Sequence, residues 1–246
     1  MKTQVLIFAA GVLVLSVSGV ESAINQTNQR SSNQTYFVAE TADLVNAGQA
    51  SLANAVSSGY TAWAGIASSV TNGYDGQTGR EATAVPDDAA ADVAVAQNFN
   101  GDGTTDPWTL TFYLNTNNAS GGCSRGYVIT TIRTIAAFRS GGFNGQQYDV
   151  LVRTNGGSFS SISGGAGYSV PACSGYPDNT KYGASPSTTY GATRITLTDD
   201  TGAIAYGADA VRFSFTTAGG WANNIYREFD VLGYKVPNKG TMIVVR

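Results

Sequence analysis

Short segments in which apolar and polar side chains alternate are the feature that most constrains the fold of this chain. In residues 108–114 (WTLTFYL), large apolar side chains occupy every second position. A period of two places alternate side chains on opposite faces of a strand, so it predicts a strand with one buried face. The same period occurs in residues 127–135, 148–154, 193–198, 210–215 and 225–233.

The segments between these strands support an all-β fold. Clusters of Gly, Asn, Asp and Ser separate the alternating segments, as expected for tight turns. Repeated strands without interleaved helices favour a single-domain antiparallel β-sandwich over a βαβ fold. Residues 43–56 (DLVNAGQASLANAV) are the one segment with a helical pattern. Residues 241–246 (TMIVVR) are also strand-like, beyond a predicted turn at 237–240.

Alternation also predicts which side chains are buried. Trp108 continues the apolar side of its strand, so we expect it in the core rather than in a binding site. In residues 225–233, we expect Phe229 and Val231, together with Ile225, to face inward. Glu228 and Asp230 occupy the positions between, which predicts a solvated face for both carboxylates.

The N-terminus has the pattern of a secretory signal peptide. A short positive region precedes an apolar run over residues 5–17, and small residues around Ser22 fit cleavage there. The run is shorter than the roughly 20 residues that span a bilayer, and no later segment is apolar enough to cross one. We therefore predict a signal peptide at 1–22, a flexible polar leader at 23–35 and a secreted mature chain without a membrane span. The alternative is that the apolar run is retained as a membrane anchor.

Charge and modification patterns fit an extracellular protein. Only 13% of residues are charged and the formal net charge is -3, so the chain lacks the basic stripe that nucleic-acid binding requires. N-x-S/T sequons begin at Asn25, Asn33 and Asn118. These are candidate glycosylation sites if the source is a eukaryote.

The two cysteines, Cys123 and Cys173, are most simply paired in a disulfide, because a secreted chain folds in an oxidising compartment. The alternative is two free thiols. The chain has no histidine, which disfavours a thiolate metal site and removes the usual Ser-His-Asp and Cys-His catalytic arrangements.

The order of the strands resembles a known family. Residues 129–162 (ITTIRTIAAFRSGGFNGQQYDVLVRTNGGSFSSI) resemble the middle of a galactose-binding-like β-sandwich of the discoidin or coagulation-factor C-domain type. Residues 208–215 and 225–233, the latter ending in DVLG, are similar to that family's last two strands, and residues 42–56 to its entry segment. The resemblance covers about residues 36–234 and implies a jelly-roll sandwich, with residues 235–246 as a C-terminal tail. Such sandwiches frequently hold a structural Ca²⁺.

A calcium loop is one interpretation of residues 98–106 (NFNGDGTTD). Oxygen-bearing side chains recur through this segment, and Gly103 would permit the turn between them. The candidate ligands are Asn98, Asn100, Asp102 and Asp106. The alternative is a plain hairpin turn, because the twelfth position is Thr109 rather than a bidentate Glu.

Aromatic and amide side chains in predicted loops are candidates for sugar binding. A sugar offers an apolar ring face and a fringe of hydroxyl groups, so its sites combine an aromatic platform with planar polar groups. Arg139, Phe143 and Asn144 form the best candidate, since they lie in one loop between two predicted strands. The other candidates are Trp63, Tyr74, Asp75 and Trp221.

Two functions follow from these patterns. The first is a non-catalytic glycan-binding module at a cell or matrix surface. The second is a structural subunit of an extracellular filament, sheath or coat, assembled by strand addition through the C-terminal tail. A glycosidase needs two positioned carboxylates. We do not expect one here, because Glu228 and Asp230 are predicted on an exposed face, and Asp87-Asp88 and Asp199-Asp200 lie in predicted turns.

Overall fold

The protein is described here by a computed structural model that covers residues 23–31, 37–49, 53–60, 69–76, 95–96, 107–138, 145–170, 191–215 and 225–237. Within these ranges the chain forms eleven strands, and all of their pairings are antiparallel. The strands are β1 (Ile24–Ser31), β2 (Ala53–Ser58), β3 (Val95–Ala96), β4 (Trp108–Leu114), β5 (Tyr127–Phe138), β6 (Gln146–Thr154), β7 (Ser160–Ser161), β8 (Tyr168–Val170), β9 (Gly191–Asp199), β10 (Ala205–Phe215) and β11 (Ile225–Lys235).

Helical structure is limited to single turns in the residues that the structure covers. Three 3₁₀ turns occur there, at Ala47–Gln49, Val70–Gly73 and Asn118–Ser120. The prediction of an all-β, antiparallel fold is therefore confirmed. In the same residues, no helix is long and apolar enough to cross a membrane.

The strands pack as two layers in a β-sandwich-like arrangement. One layer has the order β1-β9-β5-β11-β3, and the other has the order β2-β4-β10-β6, with β7 and β8 beside β6. The layers are joined where the start of β10 pairs with the start of β5, through Ala205↔Ile129 and Ala208↔Tyr127. The rest of β10 lies between β4 and β6.

Aromatic side chains from both layers form the core. Phe213 of β10 lies with its ring centroid 4.8 Å from that of Phe229 on β11, and Phe215 lies 5.1 Å from Tyr226. Trp108 is buried and stacks on Phe215 at 3.9 Å, which confirms its predicted place in the core. Burial of such rings supplies most of the hydrophobic stabilisation of a sandwich.

Strand β11 is buried on both faces, and this corrects the prediction for its carboxylates. Glu228 and Asp230 are 0% and 1% exposed, respectively, rather than solvated. The alternation itself is right, because Phe229 and Val231 do face the core. The expectation failed because residues 37–49 and 69–76 cover the other face, and the local pattern of β11 carries no sign of that cover.

A β-bulge changes the register of β11 before these carboxylates. Tyr226 pairs with Ala136 and Glu228 with Ile135, so Arg227 is an extra residue. The bulge lets Tyr226 join the core three positions before Phe229, which strict alternation forbids. A second register shift occurs at Gly233, where a Cβ atom would lie 2.0 Å from the carbonyl oxygen of Val128. Only glycine fits this approach.

The helix predicted at residues 43–56 is wrong. Residues 43–49 form turns, and β2 pairs with β4 over six residues from Ala53 to Ser58. The side chains of Asp43 and Asn46 accept hydrogen bonds from backbone N–H groups two or three residues later. These local bonds compete with helical hydrogen bonds, so Asp and Asn favour turns over helix interiors.

The flexible leader predicted at residues 23–35 is also wrong over Ile24–Ser31, which form β1. This strand pairs with β9 in eight residue pairs, from Ile24↔Asp199 to Ser31↔Ala192. Backbone hydrogen bonds to β9 can hold an edge strand whatever its side chains are. The polar side chains of residues 24–31 therefore gave no alternating pattern from which β1 could be predicted. Residues 1–22 and 238–246 lie outside the described residues, and the signal peptide and the C-terminal strand stay predictions.

We predict that Phe213→Ala destabilises the protein by about 3–5 kcal/mol, because it removes a ring from the interface between the layers and leaves a cavity. Phe213 contacts Phe112, Tyr148 and Phe229. Urea denaturation measures the free energy of unfolding. Val56→Ala is the control, because Val56 is 45% exposed and its loss should cost less than about 0.5 kcal/mol. Equal stability losses in the two variants would contradict this assignment of the core.

Candidate functional site

The outer face of β11 and the two segments that cover it form an enclosed polar site. Backbone hydrogen bonds hold the segments in place. The amide of Leu44 donates to the carbonyl oxygen of Val231 over 2.8 Å, and the amide of Ala47 donates to that of Tyr74 over 2.6 Å. The first bond joins residues 37–49 to β11, and the second joins the two segments to each other. Side chains on the outer face of β11 are therefore sealed from solvent.

Asp43 contributes a carboxylate from the first covering segment. Its Oδ1 accepts hydrogen bonds from the amides of Val45, at 2.6 Å, and Asn46, at 2.8 Å. This is an Asx turn, in which a short acidic side chain organises the backbone that follows it. Asp43 is 1% exposed, and its Oδ2 accepts no N–H group of the described residues, but when Asp43 is protonated its carboxyl group donates a hydrogen bond to that of Asp230.

Glu228 and Asp230 contribute carboxylates from β11. The amide of Gly76 donates to Oε1 of Glu228 over 3.2 Å, and the amide of Glu40 donates to Oδ1 of Asp230 over 3.1 Å. Each covering segment thus binds one β11 carboxylate through a backbone N–H group. Within the described ranges, Oε2 of Glu228 and Oδ2 of Asp230 are buried without a partner.

Asp43, Glu228 and Asp230 meet in one place, which we name the acidic cluster. One oxygen from each side chain lies within 4.8 Å of the other two. Two oxygens on opposite sides of a calcium ion are separated by about 4.6–5.2 Å, twice the usual Ca–O distance. The spacing and the three orphaned oxygens therefore fit a hard divalent cation.

Burial and mutual repulsion make the cluster difficult to ionise without a counter-charge. Burial raises the pKa of Glu228 to about 10, and the nearby carboxylates of Asp230, Asp75 and Asp43 also raise it. Burial raises the pKa of Asp43 to about 7, against the two backbone N–H groups that it accepts. At neutral pH the ionised forms need a partner with positive charge.

Asp230 is the easiest of the three to ionise. Burial raises its pKa to about 6, while the amide of Glu40 and the guanidinium of Arg133 act in the opposite direction. Arg133 lies opposite Asp230 on β5 and forms an ion pair with Glu40 at 3.5 Å. Arg133 is partly exposed and is shared with Glu40, whereas Arg227, next to Glu228 on β11, is fully buried and makes an interaction of its own.

The structure covers two of the predicted ligand-binding residues. Tyr74 packs edge-on against Phe112 at 5.2 Å, and Asp75 lies close enough to Glu228 to raise its pKa. Asp75 therefore lies near the acidic cluster, whereas the ring of Tyr74 packs against the core. The other predicted ligand and metal residues lie outside the described residues and stay predictions: Trp63, Arg139, Phe143, Asn144, Trp221, Asn98, Asn100, Asp102 and Asp106.

The sequons and cysteines lie away from the acidic cluster where the structure places them. Asn25 is exposed on β1, and Asn118 exchanges hydrogen bonds with Ser124 at 2.8 and 3.0 Å. Cys123 is buried, with its sulfur 3.6 Å from the carbonyl oxygen of Val236. Asn33 and Cys173 fall outside the described ranges, so the disulfide and the use of the sequons stay predictions.

The sequence analysis missed the acidic cluster as a site. Asp43 lies in the segment that the sequence predicts as a helix, and the alternation in residues 225–233 predicts a solvated face for Glu228 and Asp230. One signal was present, namely two carboxylates inside the strand-like run 225–233. The cover that turns them into a site comes from residues 37–49 and 69–76, far away in the sequence.

Comparisons with known proteins identify no relative of this chain. No protein-family model matches the chain. Searches of curated proteins and of solved structures also find no significant match.

Proposed function

We propose that this chain is a secreted, non-catalytic glycan-binding module on a galactose-binding-like jelly-roll sandwich, and that its acidic cluster holds a structural calcium ion. One observation carries the calcium part of this proposal: three buried carboxylates from two separate parts of the chain converge, each with an oxygen that accepts no N–H group of the described residues. Buried polar groups are almost always satisfied, so an orphaned set of this kind calls for a ligand.

The donor set favours calcium over transition metals. The acidic cluster offers carboxylate oxygens from Asp43, Glu228 and Asp230. Oxygen donors suit Ca²⁺ and Mg²⁺, whereas Zn²⁺ sites are built mainly from Cys and His. Calcium tolerates irregular geometry and six to eight ligands, while Mg²⁺ demands a near-ideal octahedron. An irregular junction of two covering segments and a strand suits the larger ion.

The position of the acidic cluster supports a structural role. Glu228 is fully buried, and its Oε1 accepts a hydrogen bond from the amide of Gly76, which ties its carboxylate to the second covering segment. A bound cation supplies the positive charge that allows ionised carboxylates to remain buried. Asp43 and Glu228 would then join the first covering segment to β11, while the amide of Gly76 fixes the second. The residues that act as acid-base groups in glycosidases are here committed to holding the fold.

Glycan binding rests on the composition of the chain and on the loop predicted at residues 139–144. The sequence is rich in Gly, Asn, Ser, Thr and Tyr and poor in charge, which suits recognition of neutral hydroxyl groups. Arg139, Phe143 and Asn144 offer a guanidinium, an aromatic ring and an amide in one loop. Single sites for sugars are weak, so we expect function to rely on several copies acting together.

A glycan array tests the proposed function directly. We expect the secreted chain to bind selected glycans in calcium, and Arg139→Ala and Phe143→Ala to lose binding without losing their fold. Circular dichroism of each variant checks the fold. An array without any binding, in calcium and at several protein densities, would refute the glycan-binding function.

We predict that calcium raises the melting temperature of the protein. At a free concentration about 100 times Kd, calcium should stabilise the folded state by about 2.7 kcal/mol and raise Tm by about 5–10 °C. Differential scanning fluorimetry after chelation and calcium addition measures the shift. Asp230→Asn should lose it, because the variant removes a cluster charge.

Asp200→Asn is the matched control for this test. It makes the same chemical change in an exposed turn, where Asp200 accepts a hydrogen bond from Asn25. Its calcium shift should equal that of the wild type. Equal shifts in both variants, or none in the wild type, would rule out a calcium site at the acidic cluster.

Without calcium, we predict that stability falls as pH rises from about 5 to about 8. The folded-state pKa values of Asp230, Asp43 and Glu228 are raised to about 6, 7 and 10. In this window the folded protein holds protons that the unfolded chain has released, so raising the pH favours unfolding. Melting curves in a chelator measure this dependence.

Saturating calcium should flatten that pH dependence, because the cluster then no longer needs protons. Asp230→Asn in chelator should also show a shallower decline than wild type. A melting temperature that stays constant or rises from about pH 5 to about pH 8 in chelator would contradict the electrostatic account of the cluster.

A further inference from the structure

A cavity of about 610 Å³ opens at one end of the sandwich. It lies where β4 and β6 end and where β5 and β10 begin. Its lining includes Tyr113, Thr116, Ser124, Arg153, Asn155 and Asp209. None of its lining residues belongs to the set predicted from the sequence to bind sugars. Its size is typical of small-molecule sites.

Arg153 presents free hydrogen-bond donors at this cavity. Its Nε donates to Oδ1 of Asp209 at 2.5 Å, and its guanidinium lies 5.2 Å from the ring centre of Tyr113 and 5.6 Å from that of Phe159. The aromatic contacts and the ion pair hold the side chain still. Within the described residues its Nη atoms have no hydrogen-bond partner, and the side chain is 27% exposed.

Asp209 neutralises the cavity. Its Oδ1 pairs with Arg153, and its Oδ2 accepts a hydrogen bond from the amide of Gly156. The side chain is 10% exposed, so both oxygens are committed to protein donors. The carboxylate of Asp209 thereby balances the charge of Arg153 within the cavity. What remains for a ligand is directional hydrogen bonding rather than net charge.

Asn155 adds an amide to the rim. It lies at the first position of a tight hairpin turn, with φ 51° followed by Gly156 at φ 69°, and the amide of Gly157 closes the turn on the carbonyl oxygen of Thr154. Asn and Gly favour this two-residue turn because both adopt positive φ. The turn uses the backbone of Asn155 and leaves its side-chain amide at the cavity.

Two hydroxyl groups complete the polar lining. Thr116 is exposed beside the cavity. Ser124 accepts a hydrogen bond from Asn118 at 3.0 Å, which leaves its own hydrogen to donate. Guanidinium, amide and hydroxyl groups beside an aromatic ring are the combination that recognises a ring of sugar hydroxyls.

We propose that this cavity is a second glycan subsite, which takes a neutral sugar unit through Arg153 and Asn155. An anion is disfavoured because Asp209 already balances the arginine, and an apolar ligand would leave the polar lining without partners. This inference rests on the proposed glycan-binding function, and it adds residues that the sequence analysis did not predict to bind a ligand.

Amide NMR of the full secreted chain in calcium tests the subsite. The probes are methyl glycosides of glucose, galactose, mannose and N-acetylglucosamine, with glucuronate as an anionic contrast. We expect at least one neutral glycoside to shift the amides of Gly126, Gly156 and Gly207, which border the cavity. Shifts caused by glucuronate alone, or shifts that spare these three glycines, would overturn the subsite.

Two variants test the residues without disturbing the fold. Asn155→Gly keeps the positive φ and removes the amide, so we expect binding about two- to tenfold weaker, the effect of one hydrogen bond. Thr116→Trp places a bulky ring at the mouth and should abolish the glycine shifts. Thr27→Trp, an exposed position on β1, is the matched control and should bind as the wild type does.

The outcomes separate this proposal from the proposed function. If the wild type binds glycans on the array but Thr116→Trp and Asn155→Gly bind the neutral probes equally well, the subsite is refuted and glycan binding stands. If neither the array nor the neutral probes show binding, both proposals fail. Weaker probe binding in Asn155→Gly and the absence of the glycine shifts in Thr116→Trp, with Thr27→Trp unaffected, support the subsite.

Discussion

The burial of two carboxylates on the outer face of β11 is the constraint on which this structure depends. A strand in the middle of a layer normally keeps one face for the core and leaves the other to solvent. In β11 the core face carries Phe229 and Val231, while the other face carries Glu228 and Asp230 beneath two covering segments. Removing an ionised carboxylate from water costs several kcal/mol unless a positive charge or hydrogen bonds in the protein compensate the lost hydration.

The covering segments and the carboxylates depend on each other. Glu40 and Gly76 each donate a backbone N–H to a β11 carboxylate, and Asp43 arranges the backbone of its own segment. Loss of the carboxylates would leave these amides without acceptors, and loss of the segments would expose the carboxylates. Protons or a divalent cation bound to the carboxylates would therefore control how firmly the covering segments are held. Tyr74 and Asp75 belong to the second covering segment, residues 69–76. The candidate site and the fold are thus parts of the same electrostatic balance.

The alternating pattern of the sequence predicts most of the strands but little of the acidic cluster. Alternation predicted β4, β6 and β10 because each has one face against the core, and a period of two reports that directly. It could not predict β1, whose side chains face solvent on both sides and whose order comes from backbone bonds to β9. Nor could it predict the bulge at Arg227, which follows from the register between β11 and β5. The acidic cluster needed all of these long-range facts at once, so local patterns missed it.

Charge is handled in opposite ways at the two polar sites of the sandwich. In the acidic cluster, three buried carboxylates converge beside Arg133, which is partly exposed and also pairs with Glu40. In the cavity lined by Arg153 and Asp209, these two side chains neutralise each other, and the Nη groups of Arg153 stay available to a ligand. Under the proposals above, the first arrangement would hold a cation and fix the backbone, while the second would suit a neutral ligand whose hydroxyl groups pair with fixed donors. A neutral ligand at the second site would then not compete for a cation at the first.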